Sequence, residues 1–208
     1  MKIYTSFIRK RSISFAAWNA NIIFLISIGL SISNAGKGQV IYGTTSHGGH
    51  GGGTITKYDV SSNTLTDVFV YEVPGTSPGE LVEASNGKFY GTTSAGGSNN
   101  AGTIYSLEAV TYRYTSLKNL DSGASPNGGL VEGADKKLYG TTSSGTIFSF
   151  DPALSDFTTL KTFTYTDGAE PFGKLVQIPD GRLCGMTIAG GVNNGGVLMI
   201  RHLRYTRS

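Results

Sequence analysis

Phe89-Tyr90-Gly91-Thr92-Thr93 decides the fold, because the stretch recurs. Tyr42-Gly43-Thr44-Thr45 precedes it and Tyr139-Gly140-Thr141-Thr142 follows it. Cys184-Gly185-Met186-Thr187 is a worn fourth copy that keeps Gly185 and Thr187. The tyrosines and the cysteine that replaces the last of them stand 48, 49 and 45 residues apart. A fixed period in this range marks a repeat architecture, in which each unit buries apolar surface against its neighbours. Inside the motif, Phe89, Gly91 and Thr93 alternate with Tyr90 and Thr92, the period of a β-strand.

Working outward, Leu81-Val82-Glu83-Ala84 predicts a short strand before the motif, closed by Ser85-Asn86-Gly87-Lys88. Asn-Gly there predicts a type I′ hairpin with positive φ at both residues. A Gly-rich loop over 95–102 leads to a third strand at 103–107, and 112–117 predicts a fourth. The third unit repeats this with a turn at 134–137 and strands at 138–142, 145–150 and 157–163. In the fourth unit a strand at 173–177 is followed by the turn Pro179-Asp180-Gly181-Arg182 and strands at 183–187 and 196–198, and the pattern breaks from Met199. The first unit begins at Val40 without a first strand. Four short antiparallel strands per unit describe a propeller blade, whereas a β-solenoid has shorter rungs and fewer hairpin turns. The expected fold is all-β, a β-propeller-like array of about four four-stranded antiparallel units of ~48 residues, incomplete at its ends.

The charge is misplaced for a nucleic-acid binder. The chain carries 17 Lys and Arg against 14 Asp and Glu, but Lys2, Arg9, Lys10 and Arg11 all lie in residues 1–35, which hold no acid. Without that segment 13 bases face 14 acids, and Arg201, Arg204 and Arg207 crowd the last eight residues. The repeat body lacks the clustered Lys and Arg that a phosphate backbone requires. Residues 1–35 run from basic, through Ile22-Ile23-Phe24-Leu25-Ile26-Ser27-Ile28-Gly29-Leu30, to the small residues Ser33-Asn34-Ala35. That order predicts a secretory signal peptide cleaved before Gly36, with no membrane span afterwards. The expected organisation is a signal peptide at 1–35, a tandem β-repeat domain at 36–200 and a basic tail at 201–208. Cys184 fills a tyrosine slot and is expected to be a buried, inert thiol.

The recurring pattern is Gly-x-Leu-Val, Asn/Asp-Gly, aromatic-Tyr-Gly-Thr-Thr, Gly-Gly, then Gly-Thr-Ile-aromatic. It runs over Gly79 to Tyr105, Gly129 to Phe148, Gly173 to Leu198 and in part Tyr42 to Tyr58. On these residues the chain resembles the GloVer-type "choice-of-anchor" tandem repeat proteins of bacterial exported proteomes, over about 40–200. The resemblance implies a secreted or surface-attached protein with propeller-like repeats, and it implies no catalytic residues. Such proteins often end in a sorting segment, which this sequence does not show, and its basic tail matches nothing upstream. A truncated piece of a larger anchored protein is therefore one reading.

Chemistry-bearing clusters are sparse. His47-Gly48-Gly49-His50 offers two imidazoles without a third ligand, so no metal is expected. Asn99-Asn100 and Asn193-Asn194 lie in matching loops without carboxylates, which suits turn formation better than calcium. Glu80, Glu83, Glu132, Asp135, Glu170 and Asp180 recur near the first hairpins, and none stands out as a unique acid–base pair. The single tryptophan, Trp18, lies in the leader, and Tyr42, Tyr90 and Tyr139 are expected to pack between units. No catalytic residue and no cofactor is assigned. The expected function is non-catalytic binding at a surface, with an extracellular protein or glycan as partner and self-association through open strand edges. A carbohydrate-active propeller enzyme is the alternative.

Overall fold

The computed structural model describes residues 31–33, 40–47, 51–71, 77–126 and 128–201, and its named elements are all strands. They form four antiparallel sheets, each built in sequence order. The first holds β1 (Ser31–Ser33), β2 (Val40–Thr45), β3 (Thr54–Asp59) and β4 (Thr64–Val70). The second holds β5 (Val82–Glu83), β6 (Lys88–Thr93), β7 (Thr103–Glu108) and β8 (Tyr114–Asn119). The third holds β9 (Val131–Glu132), β10 (Leu138–Thr142), β11 (Thr146–Asp151) and β12 (Asp156–Thr162). The fourth holds β13 (Ala169–Gln177), β14 (Leu183–Ala189) and β15 (Leu198–Arg201). This is the propeller-like array the repeat predicts.

Three details differ from the sequence reading. The first unit does have a first strand: Ser31 pairs with Tyr42 as Val82 pairs with Tyr90 and Val131 with Tyr139. That strand uses residues the leader reading counted within 1–35. The fourth unit does not break at Met199, since β15 continues pairing with β14 to Arg201. Residues 202–208 lie outside the described residues. The hairpin at Asn86-Gly87 is also not type I′. Ala84 N–H donates to Lys88 O and Gly87 N–H to Ala84 O, and of the two only Gly87 has positive φ, at 76°. It is a three-residue loop, a type I turn ending in one left-handed residue. Gly181 repeats that geometry at φ 85° and Lys136 at φ 67°.

The second and third sheets each turn one face to the sheet before and one to the sheet after. On the second sheet, Phe89, Tyr105 and Leu107 pack back against Tyr42 and Ile55 of the first, while Tyr90 and Ile104 pack forward. Leu130, Leu138, Phe148 and Phe150 of the third sheet receive Tyr90 and Ile104, and its Tyr139 and Ile147 pack forward on Leu175 and Leu183. Fully burying one such side chain is worth about 1.5–3 kcal/mol, so these clusters dominate stability. The motif glycine makes the close fit workable. A Cβ on Gly91 would stand 2.4 Å from Tyr105 Oη, and one on Gly140 2.6 Å from Phe148 Cζ, because each ring lies across its neighbour strand.

The seam between the first two sheets is rich in rings. Phe69 stacks on Tyr114 at 4.2 Å, and Tyr71 meets Tyr105 edge-on at 6.0 Å. Burial, chiefly, pushes Tyr42 up to about 12 and raises Tyr71, Tyr105 and Tyr114.

Two predictions follow from this geometry. Folded tyrosines with raised pKa values hold their protons where the unfolded chain would lose them, so stability is full below pH ~10 and falls as pH climbs toward 12. Urea unfolding at stepped pH should show that fall, and Tyr71→Phe should flatten it; a level profile through pH 11.5 would contradict it. Lys136 is a lysine in the left-handed slot that Gly87 and Gly181 fill in the other turns. Lys136→Gly should stabilise by about 0.5–1 kcal/mol, raising Tm by ~1–4 °C in calorimetry.

Candidate functional site: rim loops and inner hairpins

The loops between second and third strands are closed by the second threonine of the motif. Thr45 Oγ1 accepts the N–H of Thr54 at 3.0 Å, Thr93 that of Thr103 at 3.0 Å, and Thr142 that of Thr146 at 3.2 Å. Thr187 does the same for Val197 at 2.8 Å. This clasp explains why the worn copy keeps its last threonine. Above the clasp, the loops of units two and four have one design. Asn100 Oδ1 accepts Gly96 N–H at 3.0 Å and Asn194 Oδ1 accepts Gly190 N–H at 2.8 Å. Both asparagines are left-handed, with φ of 50° and 52°. Asn99 Nδ2 donates to Leu120 O at 3.1 Å. These side chains shape turns, as Asn does where φ must be positive.

The first threonine has another task. Thr44 Oγ1 donates to Gly79 O at 3.1 Å and Thr92 Oγ1 to Gly128 O at 3.4 Å, each reaching the sheet that follows. Thr141 Oγ1 is buried without a partner. In the fourth unit the position is Met186, and no described sheet lies beyond it. The tyrosines Tyr42, Tyr90 and Tyr139 are buried, so their rings serve packing. Cys184, expected to be buried, is half-buried, because the forward face of the fourth sheet is uncovered.

The inner hairpins carry most of the recurring acids. Glu132 spans two sheets, accepting Ser85 N–H at 2.8 Å and Ser85 Oγ–H at 2.7 Å. Asp135 accepts Tyr139 Oη–H at 2.6 Å. The matching pair in unit two is Asn86 Nδ2 donating to Tyr90 Oη at 2.8 Å. Asp180 pairs with Arg182 within its own turn at 2.6 Å. Glu80 and Lys174 flank Gly129, whose Cβ would lie within 3.3 Å of both side chains, so opposite charges line the inner edge. Glu83 is exposed at the register position of Glu132, and Glu170 is exposed on β13 with φ of 54°.

His47 Nδ1 lies 2.9 Å from Ser46 Oγ, and His50 lies outside the described residues. Among the described residues no three His, Cys, Asp or Glu side chains converge as metal ligands. The cross-sheet link from Glu132 to Ser85 was missed by sequence reading. Its signal was their separation of 47 residues, close to one period. Chemically, the arrangement offers backbone amides, hydroxyls and carboxamides on a rim above a framework in which Glu132, Asp135 and Asp180 are hydrogen-bonded, while Glu83 and Glu170 are exposed.

Solved structures share this fold. The extracellular domain of BT4673 from Bacteroides thetaiotaomicron superposes with a TM-score of 0.57 at 14% identity, covering 79% of this chain and 20% of that one. A catalytically inactive virginiamycin B lyase from Staphylococcus aureus gives 0.58 at 13%, covering 85% and 58%. An auxiliary nutrient binding protein from B. thetaiotaomicron gives 0.58 at 14%, covering 85% and 42%. This chain thus spans less than two thirds of each of these proteins. No curated protein matches it. The model of the Gloeobacter/Verrucomicrobia repeat matches residues 29–200, from just ahead of β1 to the last strand but one residue, and the chain belongs to that repeat family.

Proposed function

We propose that this protein is exported and acts as a non-catalytic binding module at the cell surface, presenting its rim loops to an extracellular glycan or protein. The observation that carries the reading is the use made of the recurring polar residues. Glu132 joins two hairpins, Asp135 holds a buried tyrosine, Asp180 closes a turn, and the second threonines clasp loops. What differs between units is the loop above each clasp, from the short 143–145 to the longer 94–102 and 190–197. A rigid repeat framework carrying variable loops is the usual arrangement of a binding surface.

Export is supported by the order of basic, apolar and small residues in 1–35. It is further supported by the shared fold of an extracellular domain and a nutrient binding protein. The rim is neutral and polar, which suits hydroxyl-rich or peptide ligands more than phosphates. The enzymatic alternative would need two carboxylates facing one bond across a cleft.

A panel of polysaccharides tests the reading. The full chain should retain one or more of them, and reducing sugar or unsaturated product should not accumulate. Turnover by the wild type that Glu132→Gln or Glu83→Gln abolishes, with thermal stability kept, would overturn it.

A further inference from the structure

The connection from the third sheet to the fourth carries Tyr165 on the rim side, where β12 leaves its pairing of Thr162 with Thr146. Tyr165 is 62% exposed, and Phe172 is the other exposed aromatic among the described residues. The matching connection between the second and third sheets is shorter and has no ring. Leu120 and Phe163 open the two connections, donating their N–H groups to Gly102 O and Gly145 O. Ser125 and Glu170 close them with positive φ, each just ahead of a proline. Between these points stand Asp121-Ser122-Gly123-Ala124 in one and Thr164-Tyr165-Thr166-Asp167-Gly168-Ala169 in the other. Residues 121–123 are exposed although two more sheets follow them, so exposure at this position belongs to the rim and does not depend on where the array stops.

The longer connection is fastened around its ring. Asp167 accepts Thr164 N–H at 2.7 Å and Thr164 Oγ1–H at 2.9 Å, and Asp167 N–H donates to Thr164 O at 3.1 Å. Lys161 pairs with the same carboxylate. Tyr165 O accepts Gly191 N–H at 3.0 Å, which ties the connection to the loop 190–197 of the fourth unit. A backbone held in this way lets an exposed ring meet a ligand without first ordering its own loop. Phe163 N–H ties the same connection to the third unit's loop, the short 143–145, and the longer loops 94–102 and 190–197 top the sheets packed on either side. Ser143, Ser144 and Asn193 on these loops are exposed, as is Glu170.

We infer that Tyr165 is the stacking platform of a neutral-glycan site on the rim above the third and fourth sheets. The inference rests on the binding reading proposed above and narrows its ligand. A pyranose offers an apolar C–H face and a border of hydroxyls, and a tyrosine ring with its polar tip matches both. Serine and asparagine side chains donate to and accept from such hydroxyls, and the Glu170 carboxylate accepts from them while repelling anionic sugars.

Binding of the full chain to insoluble cellulose, xylan and chitin, with cross-linked polygalacturonate as the anionic probe, tests the site. The wild type should be retained on at least one of the three neutral polymers. There Tyr165→Ala should weaken binding about tenfold, whereas Tyr165→Phe, which keeps the ring, should stay within about twofold of the wild type. Both variants should keep the wild-type thermal midpoint, because the side chain is exposed. Wild-type retention on a neutral polymer that Tyr165→Ala leaves intact would overturn this site while the binding reading stands. A wild type retained on none of the four would overturn the glycan reading and the site together. Retention on polygalacturonate alone, or a loss in Tyr165→Phe equal to that in Tyr165→Ala, would overturn the assignment of a neutral sugar stacked on the ring.

Discussion

Sheets that are apolar on both faces cannot end at a surface without exposing one of them, and this constraint organises the chain. A strand of the motif puts Phe89 on one side and Tyr90 on the other, and both are buried. Neither face is satisfied by its own unit, so each sheet is stable only between neighbours. The clusters follow suit: each joins two adjacent sheets, and no buried cluster lies inside one sheet alone. Stability is then nearest-neighbour in character, strongest in the middle sheets and weakest at the ends. The outer strands β4, β8 and β12, which are largely exposed or half-buried, contribute less to it.

The motif divides its labour among four positions. Its tyrosine fills the gap to the following sheet, and at Gly91 and Gly140 its glycine leaves room for a ring from the neighbouring strand of the same sheet. Its first threonine, at Thr44 and Thr92, stitches forward to a backbone carbonyl, and its second clasps the loop. The worn copy keeps only the glycine and the second threonine. Loop closure is local and survives at an end, whereas tyrosine and forward threonine act only where another sheet follows.

Much of the fold was legible because its signals are local. The period, the alternation in each motif and the Gly-rich connections locate most strands to within a residue or two. The turn type was not legible, since Asn-Gly serves more than one hairpin geometry and the choice depends on where the flanking strands begin pairing. Lys136 in the same slot shows that the loop geometry, not the Asn-Gly pair, is what the units share. Strand β1 was hidden because Ser31-Ile32-Ser33 reads equally as the end of an apolar leader, and no Asn-Gly or Asp-Gly pair stands between it and Val40 in the sequence. For the candidate site, the acids were visible but their duties were not. Glu132 and Ser85 are 47 residues apart, and only the stacking of sheets brings them together.

The open face of the fourth sheet differs in composition from the forward faces of the other sheets. Within the array, forward faces mix Tyr, Thr and Ile, and Thr44 and Thr92 spend their hydroxyls on the next sheet's carbonyls. The fourth sheet replaces that threonine with Met186 and surrounds it with Phe172, Val176, Ile188 and Leu198. A face left to water would gain from polar residues there, and this one has moved the other way, toward a larger apolar surface. Exposed apolar side chains gathered on one sheet face act differently from the same residues scattered singly, because they lose water together when covered.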